Sequence, residues 1–248
     1  MQALAGLCLL LFVVMSSLVG VRVLLLARQT RGVPELLMGA GMVSIATLGY
    51  PLTLVAGFGG PSGAINVPLY ATGSFLTQLG IALIYAFTWQ VFRPAAGWAR
   101  GLVAAGSAIM LASLVGTTAA LARADAAVPS HVAAQAWLGL GMVGYTAGFL
   151  WTAIEGLLHY RSALRRVAFG LADPVVANRF LLWGFFGLMA TGINFSSALG
   201  NWLGIDPSRS PIVLVPMGVL GAFASVAMSL AFFPPARYLD WLRGGAKS

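Results

Sequence analysis

Residues 133–161, AAQAWLGLGMVGYTAGFLWTAIEGLLHYR, decide the class of this chain. The stretch carries no charge from Ala133 to Ile154, then Glu155, then Arg161 at its end. About 20 apolar residues carry a helix across the hydrocarbon of a bilayer. This run is long enough, and Arg161 marks one boundary. Its last part, WTAIEGLLHYR (151–161), sets a second problem. A chain with only six acidic residues places one of them among apolar neighbours.

The same texture extends outward in both directions. Of 248 residues 59% are hydrophobic and 8% charged, with a mean hydropathy of +0.90. Soluble domains are about 25% charged, so composition alone points to a membrane protein. Seven apolar runs stand at residues 4–27, 34–57, 67–92, 100–122, 133–159, 178–202 and 211–233. The runs are continuous and lack the alternation of a barrel strand. The expectation is an all-α integral membrane protein, one seven-helix bundle over 1–248 with no soluble domain. Run one lacks a positive leader, and Arg22, Arg28 and Arg31 lie at its end or beyond, so it is read as an uncleaved helix. The single cysteine, Cys8, leaves no internal disulfide and no cysteine metal cluster.

A net charge of +8 raises the question of nucleic acid, but the placement of charge answers it otherwise. Arg28 and Arg31, Arg93 and Arg100, Arg161, Arg165, Arg166 and Arg179, and finally Arg237, Arg243 and Lys247 fall in alternate breaks between runs. The other breaks hold Arg123 and Arg209, near Asp125 and Asp206. This bias predicts an outer N-terminus and an inner C-terminus. The localisation read from it is an integral protein of a bacterial inner membrane. The basic inner face suits anionic lipid, and a membrane or cytoplasmic signalling partner there is a further expectation.

Local signals mark the helix ends and weak points. Pro34 and Glu35 suit the start of helix two, and Asp173-Pro174 reads as the cap and first turn of helix six. Pro51 and Pro216 are predicted to loosen or kink helices two and seven. Helix four is rich in Ala, Gly, Ser and Thr, which allows close helix approach. A shift of 133 lays Gly6-Leu7 on Gly139-Leu140, Leu24-Leu25 on Leu157-Leu158 and Arg28 on Arg161. FRPAAGWAR (92–100) also resembles FPPARYLDWLR (233–243). These pairs indicate a parallel three-one-three repeat, against chance similarity between apolar helices.

Polar side chains in a membrane helix are costly unless they meet a partner or water. Tyr145, Thr152, Glu155 and His159 form one stripe on helix five. The shift of 133 makes Arg22 and Glu155 equivalent positions, and an intramembrane ion pair is expected between them, with His159 or Arg179 as further partners. The alternative is a Glu155 that reaches the inner headgroups. In the outer half Tyr50, Ser74, Gln78, Tyr145 and Asn194 come to similar depth and suit a neutral ligand pocket. Plain interhelical hydrogen bonds, about 1 kcal/mol each, are the other account.

Enzyme chemistry finds no purchase. His131 and His159 stand about 40 Å apart along one helix and cannot share a metal. Neither a His-Glu-x-x-His nor a Gly-x-Ser-x-Gly motif occurs. No catalytic residue, metal or cofactor is expected.

Seven helices in this orientation resemble the broad group of microbial rhodopsins, PQ-loop sugar facilitators and G-protein-coupled receptors, by topology alone. The only lysine, Lys247, follows helix seven, so a retinal Schiff base is not expected. There is no Pro-Gln dipeptide. Helix three ends in TWQVFRP rather than Asp-Arg-Tyr, and helix seven has no Asn-Pro-x-x-Tyr. No family is claimed. The leading expectation is a sensor or receptor-like module for a small or apolar ligand, acting through a separate partner. A facilitative transporter and a structural or assembly protein of the membrane are the alternatives.

Overall fold

The computed structural model describes residues 2–57, 65–123, 130–205 and 210–244. Asp125, Asp206, Arg209 and Lys247 lie outside these residues, and so does the side chain of His131. Regular structure among the described residues is helical: α1 (Gln2–Thr30), α2 (Val33–Gly57), α3 (Val67–Phe92), α4 (Gly97–Arg123), α5 (Ser130–Ala168), α6 (Pro174–Trp202), α7 (Pro211–Phe232) and α8 (Ala236–Gly244). The first seven are long and apolar enough to span a bilayer, consistent with a seven-span membrane bundle.

Caps set several of these limits. Asn66 accepts from the Leu69 amide (3.1 Å) before Pro68, and Asp173 accepts from the Val175 amide (2.8 Å) before α6. Helix α5 runs nine residues past the expected boundary at 159 (168 − 159 = 9). Residues 160–168, YRSALRRVA, hold no glycine or proline to stop it. It ends where Gly170 turns left-handed (φ 68°) and the Leu171 amide donates to the Arg166 carbonyl. Helix α8 has no counterpart in the hydropathy reading. It follows α7 and is tied to α6 by Asn178 and Tyr238, 2.8 Å apart.

Helices α1 to α7 pack on their chain neighbours, and α7 returns to α1. Helix α3 also meets α5 directly, while α4 touches α3 and α5 alone among the described helices. Six helices therefore form a closed ring, with α4 outside it in the groove between α3 and α5.

Glycine sets how near these helices come. A Cβ on Gly156 of α5 would stand 2.7 Å from the Gly184 backbone of α6, and one on Gly187 would stand 2.8 Å from the Ala153 amide nitrogen. Gly41 and Gly80 make the same backbone contact between α2 and α3. Such approaches give dispersion contact without a bulky side chain between the axes. Helix α4, for all its small residues, packs differently. Its Gly106 and the Gly148 of α5 are notches for the Tyr85 ring, and Gly116 receives Trp137.

The loosening expected near Pro51 is a π-helical stretch, Val43–Gly49. Proline lacks an amide hydrogen and its ring collides with the carbonyl four residues back, here that of Thr47. The wider turn moves this carbonyl aside, and the Tyr50 amide donates to Ile45 instead. Pro216 sits inside α7, which runs through it without a break.

Candidate functional site

The six helices of the ring line a cavity of about 630 Å³, within the range of small-molecule sites. Phe12 of α1, Ile45 of α2, Phe149 of α5 and Leu214 of α7 represent its apolar wall, and α4 contributes nothing. Tyr50, Tyr145 and Asn194 also line it.

The polar groups are held from behind. Gln78 is buried on α3 outside the lining, and its Nε2 donates to the Tyr145 hydroxyl at 3.1 Å. The Tyr145 proton remains available to an acceptor in the cavity. Asn194 donates Nδ2 to the Ala190 carbonyl (2.9 Å), which turns its amide along its own helix and leaves Oδ1 as acceptor. Ser74 is buried but does not line the cavity. Of the five residues named from the sequence, three face the space, one orients a lining residue and one stands apart. Ser16, Thr77 and Ser197 also line it. These small hydroxyl residues on apolar helices gave no periodic signal.

Below the cavity the ring is filled. Tyr85 donates to the Gly144 carbonyl at 2.7 Å, and the hydroxyls of Thr88 and Thr152 meet at 2.9 Å. About 15 Å along α5 from Tyr145 comes Glu155, whose side chain is 3% exposed. Arg93 donates Nε to its Oε1 at 2.8 Å, and Trp151 Nε1 adds a longer contact at 3.3 Å. Oε2 is buried and has no hydrogen-bond partner among the described residues; His159 Nδ1 is 3.7 Å away. That nitrogen is 2.9 Å from the Glu155 carbonyl, and an accepting carbonyl requires Nδ1 to carry the hydrogen there. The imidazole packs on Phe92 at 4.6 Å and Phe180 at 5.8 Å. The Glu155 hydrogen bond, then its charge, holds the Arg93 guanidinium above the usual arginine value.

The expected partner Arg22 is therefore corrected to Arg93. The ring supplies the reason: α1 packs on α2 and α7, whereas α5 packs on α3, α4 and α6. Arg22 instead lies over the Phe233 ring at 4.5 Å. Arg179 is exposed and forms no ion pair among the described residues. Nor does Glu155 extend outward from the bundle: its side chain is buried. Arg93 was visible in the sequence only as a boundary charge after run three. Its proximity to Glu155 depends on α3 reaching α5 past α4.

Comparison with protein-family models, curated proteins and solved structures returned no match.

Proposed function

We propose that this polytopic membrane protein is a receptor-like module for a small, uncharged, mainly apolar ligand. The observation that carries this reading is the cavity lined by six helices, with Tyr50, Tyr145 and Asn194 among its few polar groups. No charged side chain of the described residues lines it, so an ionic ligand would lose its hydration without compensation. Binding becomes a signal only where the ligand favours one of two states. The loosened part of α2 supports such a change, because Ile45 and Ala46 of the π stretch line the cavity. In this reading the N-terminus is outside, and a membrane or cytoplasmic partner meets the basic inner end, where α5 carries Arg161, Arg165 and Arg166. The reading includes no catalytic step and places the protein in a bacterial inner membrane.

Facilitated transport is the second reading. It is favoured by the division of the cavity wall between α1–α3 and α5–α7, the two halves of the repeat read from the sequence. A purely structural role gives no account of a space this large.

The test is a thermal-shift screen of the purified protein with drug-sized uncharged amphiphiles, repeated on Gly221→Leu. A Cβ at Gly221 meets only Phe12, at ordinary contact distances of 3.7 Å or more, so the larger side chain extends into the cavity. Hits that shift the wild type and not the variant support a ligand site. Flux of the same molecules into proteoliposomes selects the transporter; binding without flux, with recovery of a signalling partner, selects the receptor. Hits that stabilise both proteins equally overturn the site.

A further inference from the structure

A second concavity, about 470 Å³, lies on the α1–α2 hairpin, away from the central cavity. Val21, Leu24 and Leu25 of α1 and Val33 and Leu36 of α2 form its walls, and Arg28 and Arg31 stand at its rim. Most of these wall residues are exposed, including Val21, Leu25, Val33 and Leu36. From Val21 to Arg28 the groove follows α1 for about 10 Å. Its apolar part belongs to the ends of two candidate spans, so lipid is the expected neighbour of these exposed walls.

Two features concern the arginines. First, neither forms an ion pair among the described residues, although Glu35 is close in sequence; its carboxylate folds onto Gly32 instead. Second, Arg31 has a left-handed backbone (φ 53°), a conformation that glycine takes at far less cost. Gly32 stands next in the chain, yet the strained position is held by arginine. The turn is fixed around it: Thr30 Oγ1 donates to the Leu26 carbonyl and accepts from the Gly32 amide.

We infer that this groove binds one anionic phospholipid of the bilayer. Arg28 and Arg31 hold its phosphate, and an acyl chain lies on Val21, Leu25 and Leu36. Guanidinium pairs suit phosphate geometry, and two unpaired cations favour a headgroup without a positive charge of its own. Exposed apolar walls at the ends of membrane spans suit an acyl chain beside the cationic pair.

Native mass spectrometry of the detergent-purified chain tests this, with phosphatidylglycerol, phosphatidylcholine and inorganic phosphate as probes. The wild type is expected to retain one phosphatidylglycerol in preference to phosphatidylcholine, and Arg28→Gln/Arg31→Gln to lose that preference about tenfold. Arg161→Gln/Arg165→Gln, which lowers net charge equally, is expected to keep it. Arg31→Gly separates binding from folding, because glycine relieves the backbone: its melting temperature without added lipid stays level or rises while retention falls. Equal retention of the two lipids, an unaffected Arg28→Gln/Arg31→Gln protein, equal loss in the Arg161→Gln/Arg165→Gln control, occupation by phosphate alone or by a second copy of the chain would each overturn the site.

Discussion

Arg93, the first residue past α3, donates to Glu155 of α5 at 2.8 Å, and the two ends of the pair differ sharply in exposure. The arginine side chain is 42% exposed and the glutamate side chain 3%. Coulomb attraction at the exposed end is screened, whereas the carboxylate has already lost its water. The value of the contact therefore depends on which partner is removed.

Arg93→Ala leaves a buried carboxylate with only Trp151 and His159 nearby, and is expected to destabilise by about 2–3 kcal/mol. Glu155→Gln leaves an arginine free to turn to water and is expected to cost about 1 kcal/mol. The double variant should be more stable than Arg93→Ala alone, since no buried charge remains. Unfolding midpoints in detergent measure all three. Equal single-variant losses would show that the pair behaves as an ordinary surface bridge.

Two glycines of α5 separate packing from propensity. Glycine to alanine in a helix interior gains up to about 1 kcal/mol where space allows. Gly139 has open space around it, so Gly139→Ala is expected to be neutral or stabilising. At Gly156 the new methyl would meet the backbone of Gly184, which cannot yield without parting α5 from α6. Gly156→Ala is expected to destabilise by about 1–3 kcal/mol. Matching shifts in the two proteins would remove the close contact as a determinant of this interface.

What was legible in the sequence follows the range of each interaction. The seven long apolar helices and the Asp173 cap are properties of contiguous residues and were legible, although α5 continues nine residues beyond its apolar run. The partner of Glu155 depends on which helices are neighbours. Arg22 matches Glu155 in expected depth and repeat position, but depth says nothing of order around a ring. Helix α8 escaped because hydropathy detects segments that cross a membrane, not a short helix such as ARYLDWLRG with Arg237, Asp240 and Arg243 among its aromatic and leucine residues. The cavity was half legible. Tyr50, Tyr145 and Asn194 stood out as polar residues on apolar helices, but Gln78 and Ser74 looked no different, and only packing separates a lining residue from a buried supporter.

That supporting role gives a prediction for Gln78. Tyr145→Phe removes the acceptor of the Gln78 amide while keeping the ring, and is expected to cost about 1 kcal/mol. Gln78→Leu leaves the Tyr145 hydroxyl in place but unanchored, with a similar small loss. If the cavity binds a ligand through this hydroxyl, Tyr145→Phe abolishes the thermal shift of a hydrogen-bonding hit, and Gln78→Leu only weakens it. Identical residual shifts in both variants would reduce the pair to a helix clasp.

Pro51 tests whether the π stretch serves the cavity. Alanine restores an amide that can reach the Thr47 carbonyl and removes the ring collision. The wide turn then loses its local cause, and the segment can return to α-helical pitch. A π turn holds an extra residue, so its loss rotates the residues before it against those after it. Met42 precedes this joint, Ile45 and Ala46 lie within it and Tyr50 follows it, and all four line the cavity. Pro51→Ala is expected to keep or raise the melting temperature while reducing the ligand-induced shift. Amide exchange across 43–51 reports the joint directly, with protection rising if the α pitch returns. A variant that gains protection there yet retains the full ligand response would dissociate the π stretch from binding.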